Sequence, residues 1–155
     1  MTSSSLISAI GKSTSASGTK DLLAQYGLPV RPKTFPRDEE YTGLNSEANG
    51  ISVNYLRSEY APSHISDALP EGDVVLYGIF LYREGIDGFH EFKGEIPFGL
   101  RFTLTRSEAR QLLGAPEWTS PITPKDRWIV SNLKLLATYS DDEKSIDTIS
   151  FHLNK

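Results

Sequence analysis

Apolar positions along this chain change period several times, and each change marks an element. From Thr105 onward the spacing is helical: Thr105 and Glu108 stand in the capping-box relation, and Ala109, Leu112 and Leu113 fall on one stripe. Gly114, expected in a left-handed position, and Pro116 then end the helix. The prediction is a short helix from about Thr105 to Leu113, which needs a surface to lie on. An earlier helix is predicted from about Gly18 to Tyr26, with Asp21 in its first turn, Leu22 and Tyr26 on one face, and Gly27 and Pro29 as its stop. Leu6, Ile7 and Ile10, followed by Gly11, predict one amphipathic helical turn.

Elsewhere the period is two. Tyr41 to Leu44 predicts an edge strand, and Ile51, Val53 and Tyr55 alternate with polar residues as in a half-buried strand, across a turn at Asn49-Gly50. Val74 to Tyr82 is almost continuously apolar, the pattern of a central strand covered on both faces. Glu84-Gly85 and Asp87-Gly88 signal turns, after which Phe89 to Phe92 is expected to continue the sheet. Trp128 to Val130 and Leu133 to Tyr139 predict a hairpin across Ser131-Asn132. Ile146, Ile149, Phe151 and Leu153 predict a last strand whose period slips once, at a bulge.

Laying the earlier helix over the later one puts Gly27 on Gly114, Pro29 on Pro116 and Asp21 on Glu108. The chain therefore predicts a single domain, 1–155, made of two degenerate half-repeats, 1–91 and 92–155, each a helix followed by strands. The fold class expected is α+β: an antiparallel sheet with short helices packed on one face, the other face free for a partner or solvent.

Composition narrows the function more than the fold. The 155 residues are 38% hydrophobic and 23% charged, as in an ordinary soluble protein, and no apolar run approaches the ~20 residues of a membrane span. A net charge of −4 argues against non-specific nucleic-acid binding. Cys is absent, which removes disulfides, thiol catalysis and thiolate metal sites and favours a cytoplasmic setting. The Ser-rich start, Met1 to Gly18, lacks the basic region and long apolar core of a secretory signal.

Catalytic patterns are not found. His64, His90 and His152 have no metal-ligand spacing, and neither a phosphate-binding glycine loop nor a nucleophile elbow occurs. Glu91 and Glu95 are the one carboxylate pair to weigh, and Lys93-Gly94 between them favours a solvated turn. Trp128 suits core packing, whereas Trp118 is equally placed for core or ligand. Asp38-Glu39-Glu40 and Asp141-Asp142-Glu143 are expected to be solvated loops. The insertion from Ser58 to Asp73 differs, because it interrupts the half-repeat with acids around an aromatic residue. Glu59, Tyr60, Asp67, Glu71 and Asp73 are accordingly the candidate partner-binding residues, suited to a basic protein.

Gly99-Leu100-x-Phe102 before Thr105-Arg106-Ser107-Glu108, then Leu113-Gly114-x-Pro116 and an aromatic-led hairpin, resembles the repeat unit of the β-lactamase-inhibitor protein and the SmpA/OmlA outer-membrane assembly lipoproteins. The longer line resembles small bacterial immunity proteins, antidotes to polymorphic or contact-dependent toxins. It runs from Leu6-Ile7 and Gly11-Lys12 through Gly50-Ile51 and Asp87-Gly88-Phe89 to Gly94-Glu95-Ile96-Pro97-Phe98-Gly99-Leu100. Without Cys the chain lacks the lipidated residue of the lipoproteins and the paired Cys of the inhibitor, so those two functions are not carried over. What the resemblance implies is a helix-on-sheet fold and stoichiometric binding of a cognate protein toxin, a basic nuclease domain among the candidates, with no cofactor and no catalysis. The alternatives are an envelope assembly factor of the SmpA/OmlA kind and an enzyme using carboxylates such as Glu91 and Glu95.

Overall fold

A computed structural model describes residues 3–32, 39–62 and 73–154. Among the described residues three short helices, α1 (Ser3–Ala9), α2 (Ser17–Gln25) and α3 (Arg106–Leu113), accompany seven strands. The strands are β1 (Tyr41–Ser46), β2 (Ile51–Arg57), β3 (Val74–Tyr82), β4 (Trp118–Thr119), β5 (Lys125–Val130), β6 (Leu133–Tyr139) and β7 (Ile146–Leu153). They form one antiparallel sheet in the order β1-β2-β3-β7-β6-β5-β4. The class is α+β, as the sequence predicts.

Because side chains alternate along a strand, the register sorts every residue onto one of two faces. One row across the sheet runs Leu44, Val53, Ile79, Phe151, Leu135, Trp128. Val53, Ile79, Phe151, Leu135 and Trp128 are buried, and they join one core cluster with Leu6 and Ala9 of α1, Leu22 and Leu23 of α2 and Ala109 of α3. The helices therefore lie on that face. Full burial of a Leu, Ile or Phe is worth about 1.5–3 kcal/mol, so this face holds most of the folding energy. The first half of β3 has a further neighbour: the α1–α2 loop runs beside it, with Gly11 N donating to Leu76 O at 2.8 Å and Leu76 N to Lys12 O at 3.0 Å.

Local chemistry explains the endings. Thr105 Oγ1 accepts from Glu108 N at 3.1 Å while Glu108 Oε1 accepts from Thr105 N at 2.9 Å, completing the capping box of α3. Ser131 and Asn132 both take positive φ, 48° and 62°, the primed turn that matches the twist of a two-residue hairpin. The period slip in β7 falls where Thr138 pairs with Thr148 but Tyr139 pairs with Ile146, leaving Asp147 as the extra residue.

Five expectations change. Leu112 is 48% exposed rather than part of the buried stripe, because the arc of α3 turned to the sheet runs through Arg106, Ala109, Arg110 and Leu113. Gly114 has φ 86° with ψ −170°, a positive-φ but extended stop instead of a left-handed one. The β1–β2 connection is a 3-10 turn, Glu47–Asn49, closed by left-handed Gly50, instead of a two-residue turn. Strand β2 carries buried side chains on both faces, Ser52 and Leu56 as well as Val53 and Tyr55, instead of being half-buried. Phe89 to Phe92 is not a strand: it crosses over Gly50, and Phe92 N donates to Tyr82 O at 3.0 Å while His90 N donates to Glu47 O at 2.9 Å.

Candidate partner-binding surface

No helix covers the face of the sheet opposite α1, α2 and α3, to judge by the described residues. Its rows follow from the same register. One runs Asn54, Gly78, His152, Lys134, Ile129, and the next runs Ser52, Phe80, Ser150, Leu136, Arg127, Trp118. Rings gather on the half built from β1, β3 and β7. Tyr41 stacks on Tyr77 at 5.8 Å between centroids, Tyr77 lies 5.8 Å from His152, and Phe80 meets His152 edge-on at 4.9 Å. Tyr41 remains 49% exposed, and Ile129 on the other half is 42% exposed, so this face keeps apolar surface in contact with water.

His152 can stand among rings because the sheet makes room for it. Its cross-strand partner is Gly78, which has no side chain to compete for the space. Burial lowers the imidazole pKa to about 4, and Lys134 beside it acts in the same direction. At neutral pH the ring is uncharged and packs as an aromatic group.

The ends of the insertion reach this face. Ala61 is buried with Leu56 and Val75 against Tyr77, a small cluster separate from the main core. Glu59 and Tyr60 lie in the 3-10 turn Ser58–Tyr60 just before it, both exposed, Tyr60 at 43%. Asp73 is placed differently: Oδ2 accepts from Ser13 Oγ at 2.7 Å and Oδ1 from Val74 N at 2.9 Å, so its carboxylate ties the α1–α2 loop to the start of β3. Asp67 and Glu71 lie outside the described residues, as do His64 and Asp38. Of the five residues singled out in the sequence, Glu59 and Tyr60 are thus brought together, and Asp73 joins the end of β3.

Glu91 and Glu95 line one cleft of about 770 Å³ with Arg83 and Arg101 over a floor of Phe92, Ile96, Leu100 and Phe102. Arg83 is held by Asp147, Nη2 to Oδ1 at 2.6 Å, and Glu91 Oε2 lies 3.9 Å from Lys93 Nζ. His90 contacts Glu84, Nδ1 to Oε2 at 3.0 Å, on an exposed turn.

One constellation was not visible beforehand. Asp126, fully buried on the core face of β5, accepts six hydrogen bonds. Arg106 and Arg110 each donate through Nε and Nη2, the Nη2 contacts at 2.8 and 2.9 Å, Thr119 Oγ1 donates at 2.7 Å, and Tyr139 OH at 2.9 Å. Burial by itself would raise the Asp126 pKa; the bonds from Arg110, Arg106, Thr119 and Tyr139 outweigh it and hold the carboxyl well below its usual range. Every acceptor position of the carboxylate is taken by this chain, so the cluster fastens α3 to the sheet and offers no reactive group. Arg106 and Arg110 at helical spacing, with Asp126 in phase with buried Trp128, are the sequence signals that foreshadow it.

Comparisons with protein-family models, curated proteins and solved structures find no match to this chain. Its class is the one its own geometry defines, an α+β protein with helices on one side of an antiparallel sheet. No helix among the described residues is long and apolar enough to cross a membrane.

Proposed function

We propose that the chain is a cytoplasmic immunity protein that binds a cognate bacterial toxin stoichiometrically and neutralises it without catalysis. The observation that carries this reading is the uncovered sheet face, where Tyr41, Tyr77, Phe80 and His152 form a chain of rings and Tyr77 packs on the cluster that holds Ala61, next to the exposed Tyr60. Partly exposed aromatic residues on a rigid sheet are suited to supply binding energy at a protein interface, since they bury large area with few torsions to freeze. The strand order, three strands from 41–82 beside those from 118–153, supports the accompanying reading of two degenerate half-repeats that share the sheet. The family resemblance in Gly50-Ile51 and Gly94 to Leu100 gives the toxin-antidote direction.

The test is co-expression with the toxin encoded in the neighbouring reading frame. A one-to-one complex and protection of the host are expected; absence of both would end this reading. The cleft that brings Glu91 and Glu95 together supports a second reading, a carboxylate-using enzyme. Glu91→Gln with Glu95→Gln separates the two, because protection persists in a binding protein and is lost in an enzyme.

A further inference from the structure

The strand positions on the uncovered face are poor in acids. The chain's net charge is −4, yet the open-face positions of the seven strands hold no Asp or Glu apart from Asp147, which sits at the β7 bulge and is paired with Arg83. Cations do occupy that face, all on the half built from β5 and β6: Lys125, Arg127 and Lys134. Arg127 shares its charge with Glu117, Nε to Oε2 at 2.8 Å, and its guanidinium lies over the Trp118 ring at 5.1 Å. Lys125 and Lys134 have no ion-pair partner among the described residues. Ile129, 42% exposed, lies across from Lys134, and the half-buried Leu136 lies in the row between the two lysines, with Trp118, 38% exposed, at the edge.

Trp and Arg are the residue types that most often dominate binding energy, and a rim of unpaired like charge selects an oppositely charged partner and speeds its encounter. Core packing demands nothing of these positions, because the core faces the other way. We propose that the open face of β4, β5 and β6 is the docking surface for an acidic protein surface, with Trp118 and Ile129 as apolar anchors and Lys125 and Lys134 as the charges that select it. This rests on the partner-binding reading and sharpens it: the basic half of the open face sets the charge of the main contact.

Two arms test it. In the first, affinity for the neighbouring toxin is measured against salt for the wild-type chain, Lys125→Glu with Lys134→Glu, Trp118→Ala, and, as a control on the helix side of the sheet, Asp21→Lys at an exposed position of α2. The double charge reversal is expected to weaken binding at least about tenfold and to remove its salt dependence. Trp118→Ala is expected to weaken it about thirtyfold, and Asp21→Lys to leave it within roughly twofold. A toxin that binds wild type and tolerates the charge reversal within roughly twofold overturns this inference and leaves the immunity reading standing. In the second arm, amide shifts of the wild-type chain are followed by NMR at low salt with deca-glutamate and with deca-lysine. Shifts confined to β4, β5 and β6 with deca-glutamate support the inference even if the neighbouring toxin proves not to be the partner; shifts elsewhere, none, or equal shifts with deca-lysine overturn it.

Discussion

Gly78 and His152 are cross-strand partners on the uncovered face, and the imidazole fills the space that a side chain at Gly78 would need: a methyl carbon there would lie 2.5 Å from His152 Nδ1. The pair sets the position of the ring against Phe80 and Tyr77. Gly78→Ala is expected to cost about 1–3 kcal/mol, the usual penalty for overfilling a packed site. In a His152→Ala background the same change costs much less, so a double-mutant cycle by urea denaturation returns a coupling of about 1 kcal/mol or more. Additive effects would show that the ring swings aside freely.

His152 also gives stability a defined pH dependence. Its folded pKa, about 4, lies below the ordinary histidine value of about 6.5. Between those values the unfolded chain binds the extra proton and the folded one does not, so stability falls as pH drops from about 6.5 to about 4 and this contribution then levels off. His152→Gln is expected to flatten that segment of the profile, and an NMR titration of the ring to give a midpoint near 4. A midpoint near 6.5 would contradict the packing described for it.

Asp126 acts in a lower window and with the usual carboxylate sign. Its folded pKa is depressed, so the stability it contributes is complete above the unfolded value of about 3.9 and is lost as pH falls below it. Asp126→Ala leaves Arg106, only 15% exposed in its side chain, with the more exposed Glu143 as its remaining carboxylate, and is expected to cost about 3 kcal/mol at pH 7. The gap between wild type and variant should narrow below about pH 4. A gap that stays constant down to pH 2 would mean that packing, and not charge, is what Asp126 supplies.

Gly50 is required twice over. It takes φ +69°, and a methyl carbon there would lie 2.3 Å from both His90 O and Phe92 N, backbone atoms that cannot turn away. Gly50→Ala is therefore expected to exceed the about 1–3 kcal/mol of positive-φ strain alone. It should also speed hydrogen exchange at Phe92 N, which donates to Tyr82 O. Gly85→Ala is the control: its φ is +84° but nothing lies within 4 Å, so it should show the conformational cost only. Equal effects at the two positions would contradict the close approach at Gly50.

Much of the fold is legible in order along the chain because local rules set it. The capping box at Thr105 and Glu108, the Ser131-Asn132 turn and the apolar run from Val74 to Tyr82 each depend on residues within a few positions of one another. The Leu112 stripe misled because helical spacing fixes which residues share an arc but not which arc meets the sheet. Asp126 shows the same limit in charge, since its four partners come from α3, β4 and β6, and the helical spacing of Arg106 and Arg110 hints at a shared partner without naming it.

The sequence by itself determined the α+β class, the helix ends, most strands and the absence of thiol chemistry, because periodicity, capping and composition are properties of near neighbours or of plain counts. Only the tertiary structure decided which face of the sheet the helices cover and that the strand positions of the other face are poor in acids. Those facts depend on register between strands as distant as β3 and β7, where Gly78 meets His152 and Phe80 meets Ser150. A shift of one residue would exchange the two faces, and the energy that forbids the shift is spread over the whole core.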